Sequence, residues 1–70
     1  MSFGETLKAL RLKAGMTQAQ LSIASQVSVK SIRDYEDGKT EAAPRSVARM
    51  AVALKVSVKE LATGLAKREG

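Results

Sequence analysis

Apolar residues recur along this chain at intervals of three and four, in blocks separated by polar or glycine-containing breaks, the period of amphipathic helices. The first block runs Phe3, Leu7, Leu10, Ala14, with Glu5, Lys8, Arg11 and Lys13 falling mostly elsewhere, and Gly15 closes it. Ser2 followed by Glu5 has capping-box spacing, in which each side chain satisfies a backbone N–H that the first helical turn leaves unpaired. Thr17 and Gln20 repeat the device, and Met16 with Leu21 stands at hydrophobic-staple positions. A second helix is therefore predicted from Gln18 to about Ser25, burying Leu21 and Ala24, with Gln26 and Val27 as the break.

Ser28 is the next N-cap and Val27 with Ile32 the next staple, which predicts a third helix from Val29 through Ile32 and Tyr35, stopped by Asp37-Gly38. Lys39 to Ala43 reads as an exposed loop. Pro44 suits a first helical turn, because its missing N–H has no partner to lose there, and Val47, Met50, Ala51 and Leu54 give a fourth stripe. Ser57 with Glu60, Val56 with Leu61, and the stripe Val58, Leu61, Ala62, Leu65 predict a fifth helix. No segment alternates apolar and polar residues for long enough to make a strand, so the class is all-α. Residues 1–66 read as a single domain and residues 67–70 as a short frayed tail.

Composition narrows the function. Seventy residues hold one small core and leave no room for a long catalytic cleft. The chain contains no Cys and no His, and it has no glycine-rich phosphate loop and no carboxylate pair in a recognisable site, so neither an enzyme nor a cofactor or metal is expected. The acids Glu5, Asp34, Glu36, Asp37, Glu41 and Glu60 read instead as caps, ion-pair partners and solvated charges. A net charge of +5, from 12 Lys and Arg against 7 Asp and Glu, suits a polyanionic partner, although a solvated surface explains it almost as well. One Phe, one Tyr and no Trp argue against a platform for stacking single-stranded bases. No apolar run approaches the roughly 18 residues that span a bilayer, and the first ten residues lack a signal-peptide pattern. The expectation is a cytoplasmic protein, bacterial nucleoid-associated or phage-encoded, with no membrane partner and no small-molecule ligand.

The break between the second and third helices is too short for antiparallel packing, which predicts a steep crossing and a helix-turn-helix from Thr17 to Asp37. In that arrangement the second helix of the pair enters the major groove. With Ile32 and Tyr35 inward, Val29, Lys30, Arg33 and Asp34 share the outward face. Lys30 and Arg33 suit guanine O6 and N7, and Val29 suits a thymine methyl. Asp34 suits cytosine N4, or bracing Lys30 one turn away. The competing reading of this face is plain solvation.

The run Met16-Thr17-Gln18-Ala19-Gln20-Leu21, with Val27 through Lys39 and Leu54-Lys55-Val56-Ser57-Val58, resembles the Xre family of helix-turn-helix regulators, familiar from lambdoid phage repressors and Cro proteins. The resemblance spans nearly the whole chain. It implies a compact five-helix, lambda-repressor-like domain that binds a short, palindromic double-stranded operator as a homodimer and regulates transcription, with repression the expected sign. It further implies that Gln18 contacts phosphate and braces the recognition helix, and that Ser28, Ser31, Lys39, Thr40 and Arg45 meet the DNA backbone. Ser28 stands with Val29, Lys30, Arg33 and Asp34 at positions that approach bases or the flanking phosphate, and Arg11 with Glu36 matches an internal salt bridge.

Two residues depart from the family pattern: Ser22 stands where Ala is preferred, and Gln26 where a glycine able to take positive φ is preferred. The loop from Thr40 to Ala43 is one residue longer than in the phage relatives, which bears on Arg45. For a dimer, Val58 and Leu65 are the candidate contacts, with burial in the core as the competing reading. A different function on the same fold is a protein-interaction module, such as an antitoxin or a polymerase-recruiting adaptor.

Overall fold

Helix starts in this chain are set by short hydroxyl side chains that take a backbone N–H. In the computed structural model, which describes residues 2–62, Ser2, Thr17, Ser28 and Ser57 each cap the helix that follows. The helices are α1 (Phe3–Lys13), α2 (Gln18–Ser25), α3 (Val29–Asp37), α4 (Pro44–Leu54) and α5 (Val58–Leu61), with no strand among the described residues. The Ser2–Glu5 and Thr17–Gln20 capping boxes are complete in both directions. Ser57 Oγ accepts from the Glu60 backbone N–H at 2.9 Å. α4 uses the other device: Ala43 offers no side-chain cap, and Pro44 occupies the first turn.

The ends of α2, α3 and α4 are set by left-handed residues. Gly38, at φ 77°, closes α3, and its N–H reaches back to the Asp34 and Tyr35 carbonyls. Gln26 at φ 62° closes α2 and Lys55 at φ 61° closes α4, both non-glycine residues in a region that costs about 1–2 kcal/mol.

The core is one cluster to which each helix supplies a fully buried side chain: Leu7, Leu21, Ile32, Met50 and Leu61. Phe3, Val27, Tyr35, Val47, Ala51 and Leu54 surround them. Removing a side chain of this size from water is worth about 1.5–3 kcal/mol, so the five helices are held mainly by this shared interior. The predicted stripe of α4 is buried at all of its positions. Elsewhere the stripes need correction. On α2 the buried partner of Leu21 is Ser25, and Ala24 faces solvent. Ala14 is exposed as the C-cap of α1. Val58 is 50% exposed at the start of α5. Leu65 and the tail 67–70 lie outside the described residues.

α1 and α3 approach unusually closely. A Cβ added to Gly4 would lie 2.5 Å from the Tyr35 carbonyl oxygen and 2.7 Å from that of Glu36. No real Cβ contact is that short, so the first turn of α1 seats on the last turn of α3 because residue 4 has no side chain. Phe3 completes the seat, meeting the Tyr35 ring edge-to-face at a centroid distance of 6.4 Å.

Candidate nucleic-acid interface

The link between α2 and α3 is built by Ser25, Gln26 and Val27. Ser25 Oγ donates to the Leu21 carbonyl at 2.7 Å and accepts from the Val27 N–H at 3.3 Å, both buried. A hydroxyl rather than a methyl is needed there: as the chain leaves α2, the Val27 N–H points inward and would otherwise have no partner. Gln26 then reverses the chain in its left-handed conformation, and Ser28 opens α3 by accepting from the Ser31 N–H at 3.1 Å while donating to Ser31 Oγ at 3.0 Å. These two serines, both assigned to the DNA backbone from the resemblance, are thus already bonded to each other at the start of α3.

α3 buries Ile32 and Tyr35, as its spacing predicts, and turns the rest of its length outward. Lys30 and Arg33 are exposed, and Val29 and Asp34 are half-buried. Lys30 Nζ lies 3.2 Å from Asp34 Oδ2, so one turn of the helix carries a joined cation and carboxylate. The Tyr35 hydroxyl bonds to Ser46 Oγ at 3.3 Å, tying the back of α3 to the first turn of α4.

Beneath this face lies a charged hub. Arg11 Nε donates to Glu36 Oε2 at 2.7 Å and Nη2 to Oε1 at 3.0 Å, while Nη1 reaches the Met16 carbonyl at 2.9 Å. Gln18 Nε2 adds a bond to Glu36 Oε1 at 3.1 Å. The two charged side chains are 9% and 4% exposed. The hydrogen bond to Glu36 raises the Arg11 pKa above its already high ordinary value, so the guanidinium stays charged at any pH the fold survives. One carboxylate therefore joins α1, the start of α2 and the end of α3. The fork of Arg11 is suited to this because its planar donors match both carboxylate oxygens at once.

Lys39 and Thr40 are exposed in the loop after α3. Arg45 is exposed too, but it sits in the first turn of α4 rather than in the loop, because Pro44 starts that helix. Gln18, at the opposite end of the pair, is half-buried by its bond to Glu36.

Short α2, tight turn and outward-facing α3 together have the form of a helix-turn-helix, and the family model described as a helix-turn-helix domain matches residues 2–64. The chain belongs to that family. No curated protein matches it. The helix-turn-helix domain is a DNA-binding device, in which the second helix of the pair lies in the major groove and the first lies across the backbone. In this chain the two helices of the pair are α2 and α3.

Three residues of the helix-turn-helix scaffold were not picked out by sequence pattern. Gly4 carried a usable signal, since a glycine in a helix costs about 1 kcal/mol relative to alanine and so points to a packing reason. Ser25 stands four residues after Leu21, the spacing at which a hydroxyl bonds back to a helical carbonyl. Ser46 carried none, because its bond to Tyr35 depends on how α4 lies against α3.

Proposed function

We propose that this chain is a sequence-specific transcriptional regulator of the Xre type, which represses by occupying a short two-fold operator as a homodimer. The supporting observation is the division of α3: Ile32 and Tyr35 anchor it in the core, while Val29, Lys30, Arg33 and Asp34 form a mixed donor, acceptor and apolar surface. Base edges in the major groove offer the complementary groups, namely guanine acceptors, the cytosine amino group and the thymine methyl. Gln18 and Ser28 at the helix starts, with Ser31, Lys39, Thr40 and Arg45, place α3 on the backbone and fix its register without reading sequence. The Arg11–Glu36–Gln18 hub supports this role by holding α2 and α3 in one relative position before DNA is met.

Selection of bound duplexes from a random pool tests the proposal. The expected product is an inverted repeat whose halves lie one helical turn apart. With about 8 phosphate contacts in a dimer, log K should fall against log salt with a slope near −7. Lys30→Ala with Arg33→Ala should abolish selection while leaving the helical circular dichroism unchanged. Recovery of no preferred duplex, or an affinity indifferent to salt, would rule the proposal out in favour of a protein-interaction module.

A further inference from the structure

On the outward strip of α3 cations and carboxylates balance, so it adds nothing to the chain's net charge of +5. Lys30 and Arg33 are accompanied there by Asp34 and Asp37. Arg11 and Gln18 already hold Glu36, so it belongs to the scaffold. Asp34, in contrast, faces outward with Lys30 Nζ 3.2 Å from its oxygen, the lysine side chain 83% exposed and the aspartate 23%. A carboxylate in this place is repelled by every phosphate that flanks the groove. It is tolerable in a bound state when a base supplies a donor or when Lys30 stays paired with it.

We propose that Lys30 and Asp34 act together as one reader of a single G·C base pair, with Asp34 making other seatings of α3 unfavourable; this rests on α3 being the major-groove helix. The spacing supports a single pair. Guanine O6 and cytosine N4 are hydrogen-bonded to each other and so lie about 3 Å apart on the groove edge, matching the 3.2 Å between the Lys30 and Asp34 tips. The ammonium donates to O6 and N7, and the second N4 hydrogen goes to the carboxylate, so both charges are satisfied without parting. An A·T pair presents an amino donor where guanine presents O6, and a methyl beyond its acceptor, which sets a donor against the ammonium and crowds the carboxylate.

Away from such a pair the two residues separate. The long lysine stem lets Nζ swing to a phosphate, whereas the short aspartate stays fixed to the helix and is left unpartnered among anions. Rejection of wrong sequence thus comes from repulsion as much as from attraction.

The test uses the full chain and the duplexes it selects from a random pool, followed by titration of the selected duplex, of the same duplex with the chosen pair changed to A·T, and of a scrambled duplex. The unaltered protein should select G·C at one position of each half-site and lose about tenfold or more in affinity when it is changed. Asp34→Asn should move that position toward T·A, with thymine O4 replacing guanine O6 opposite Lys30 and the amide pairing with adenine N6 and N7. Asp34→Ala should weaken the preference there, leaving only what Lys30 reads of guanine, and bind the scrambled duplex several-fold more tightly. If the unaltered protein selects duplexes but both Asp34 variants keep its preference and its scrambled-duplex affinity, the paired reading is wrong and the regulator reading stands. If the unaltered protein selects nothing, the regulator reading fails and takes this one with it.

Discussion

At the scale of single residues, backbone conformation and room decide more than chemistry does. Gln26 takes φ 62° with no glycine to ease it. Gln26→Gly should therefore stabilise the fold by about 1 kcal/mol, the relief of left-handed strain exceeding the added chain entropy. A rise in the urea midpoint at unchanged slope would show it. Gly4 is the reverse case. Gly4→Ala should destabilise by about 1–3 kcal/mol although alanine favours helices, because the new methyl meets the Tyr35 and Glu36 carbonyl oxygens; thermal melts of the two proteins decide the sign. Glu5 adds a pH dependence. Its carboxylate accepts from the Ser2 backbone N–H, which holds its pKa below the ordinary value. A folded pKa lower than the unfolded one gives stability that is complete above the unfolded value, near 4.3, and is lost as pH falls through the folded value. Glu5→Gln, which keeps an acceptor at the cap but no charge, should flatten the acid limb of a midpoint-against-pH curve by lowering the neutral-pH midpoint slightly toward its acid value.

At the scale of elements, the boundaries of the helices were legible in the sequence because caps are local. Ser2, Thr17, Ser28, Pro44, Ser57 and Gly38 act within a few residues of themselves, so their meaning does not depend on the rest of the chain. The facing of each helix was less legible. Periodicity placed Ala24 inward on α2, but the turn to α3 needed a buried hydroxyl and rotated Ser25 into that place. The outward set on α3 was legible, because Ile32 and Tyr35 fix the phase of a strongly amphipathic helix. The Lys30–Asp34 contact was one of two readings of Asp34 that spacing left open. Between elements, Arg11 and Glu36 form a buried ion pair. Glu36→Ala should cost about 3–5 kcal/mol, most of it from leaving the Arg11 guanidinium buried without its partner. Arg11→Met with Glu36→Leu should cost much less than the two single changes added together. A double-mutant cycle by denaturant titration measures that coupling, and simple additivity would contradict the hub.

At the scale of the whole molecule, 34 × 23 × 20 Å over its principal axes, there is a single interior to which every helix contributes. A chain this small has little stability to lose, so the outward face of α3 and the core are not independent parts. Of the scaffold residues that sequence pattern missed, Gly4 and Ser46 have partners fixed by assembly of the helices, whereas Ser25 bonds to Leu21 and Val27 close to it in sequence.

Joining of α1, α2 and α3 through one carboxylate also bears on how the molecule opens. A helix on the surface of a small protein can fray by itself, exchanging its amide hydrogens through local excursions while the remainder stays closed. The last turn of α3 cannot, because its departure would strand Arg11, uncouple Gln18 and unseat the first turn of α1 in one event. Amides near the end of α3 should therefore exchange at the same rate as those in the middle of α1, by opening of the whole unit. Glu36→Gln should split the two rates, with α3 becoming the faster, as native-state hydrogen exchange followed by NMR would register. In the proposed role, a helix that does not open ahead of its scaffold arrives at the groove already ordered, and its binding carries no penalty for refolding it.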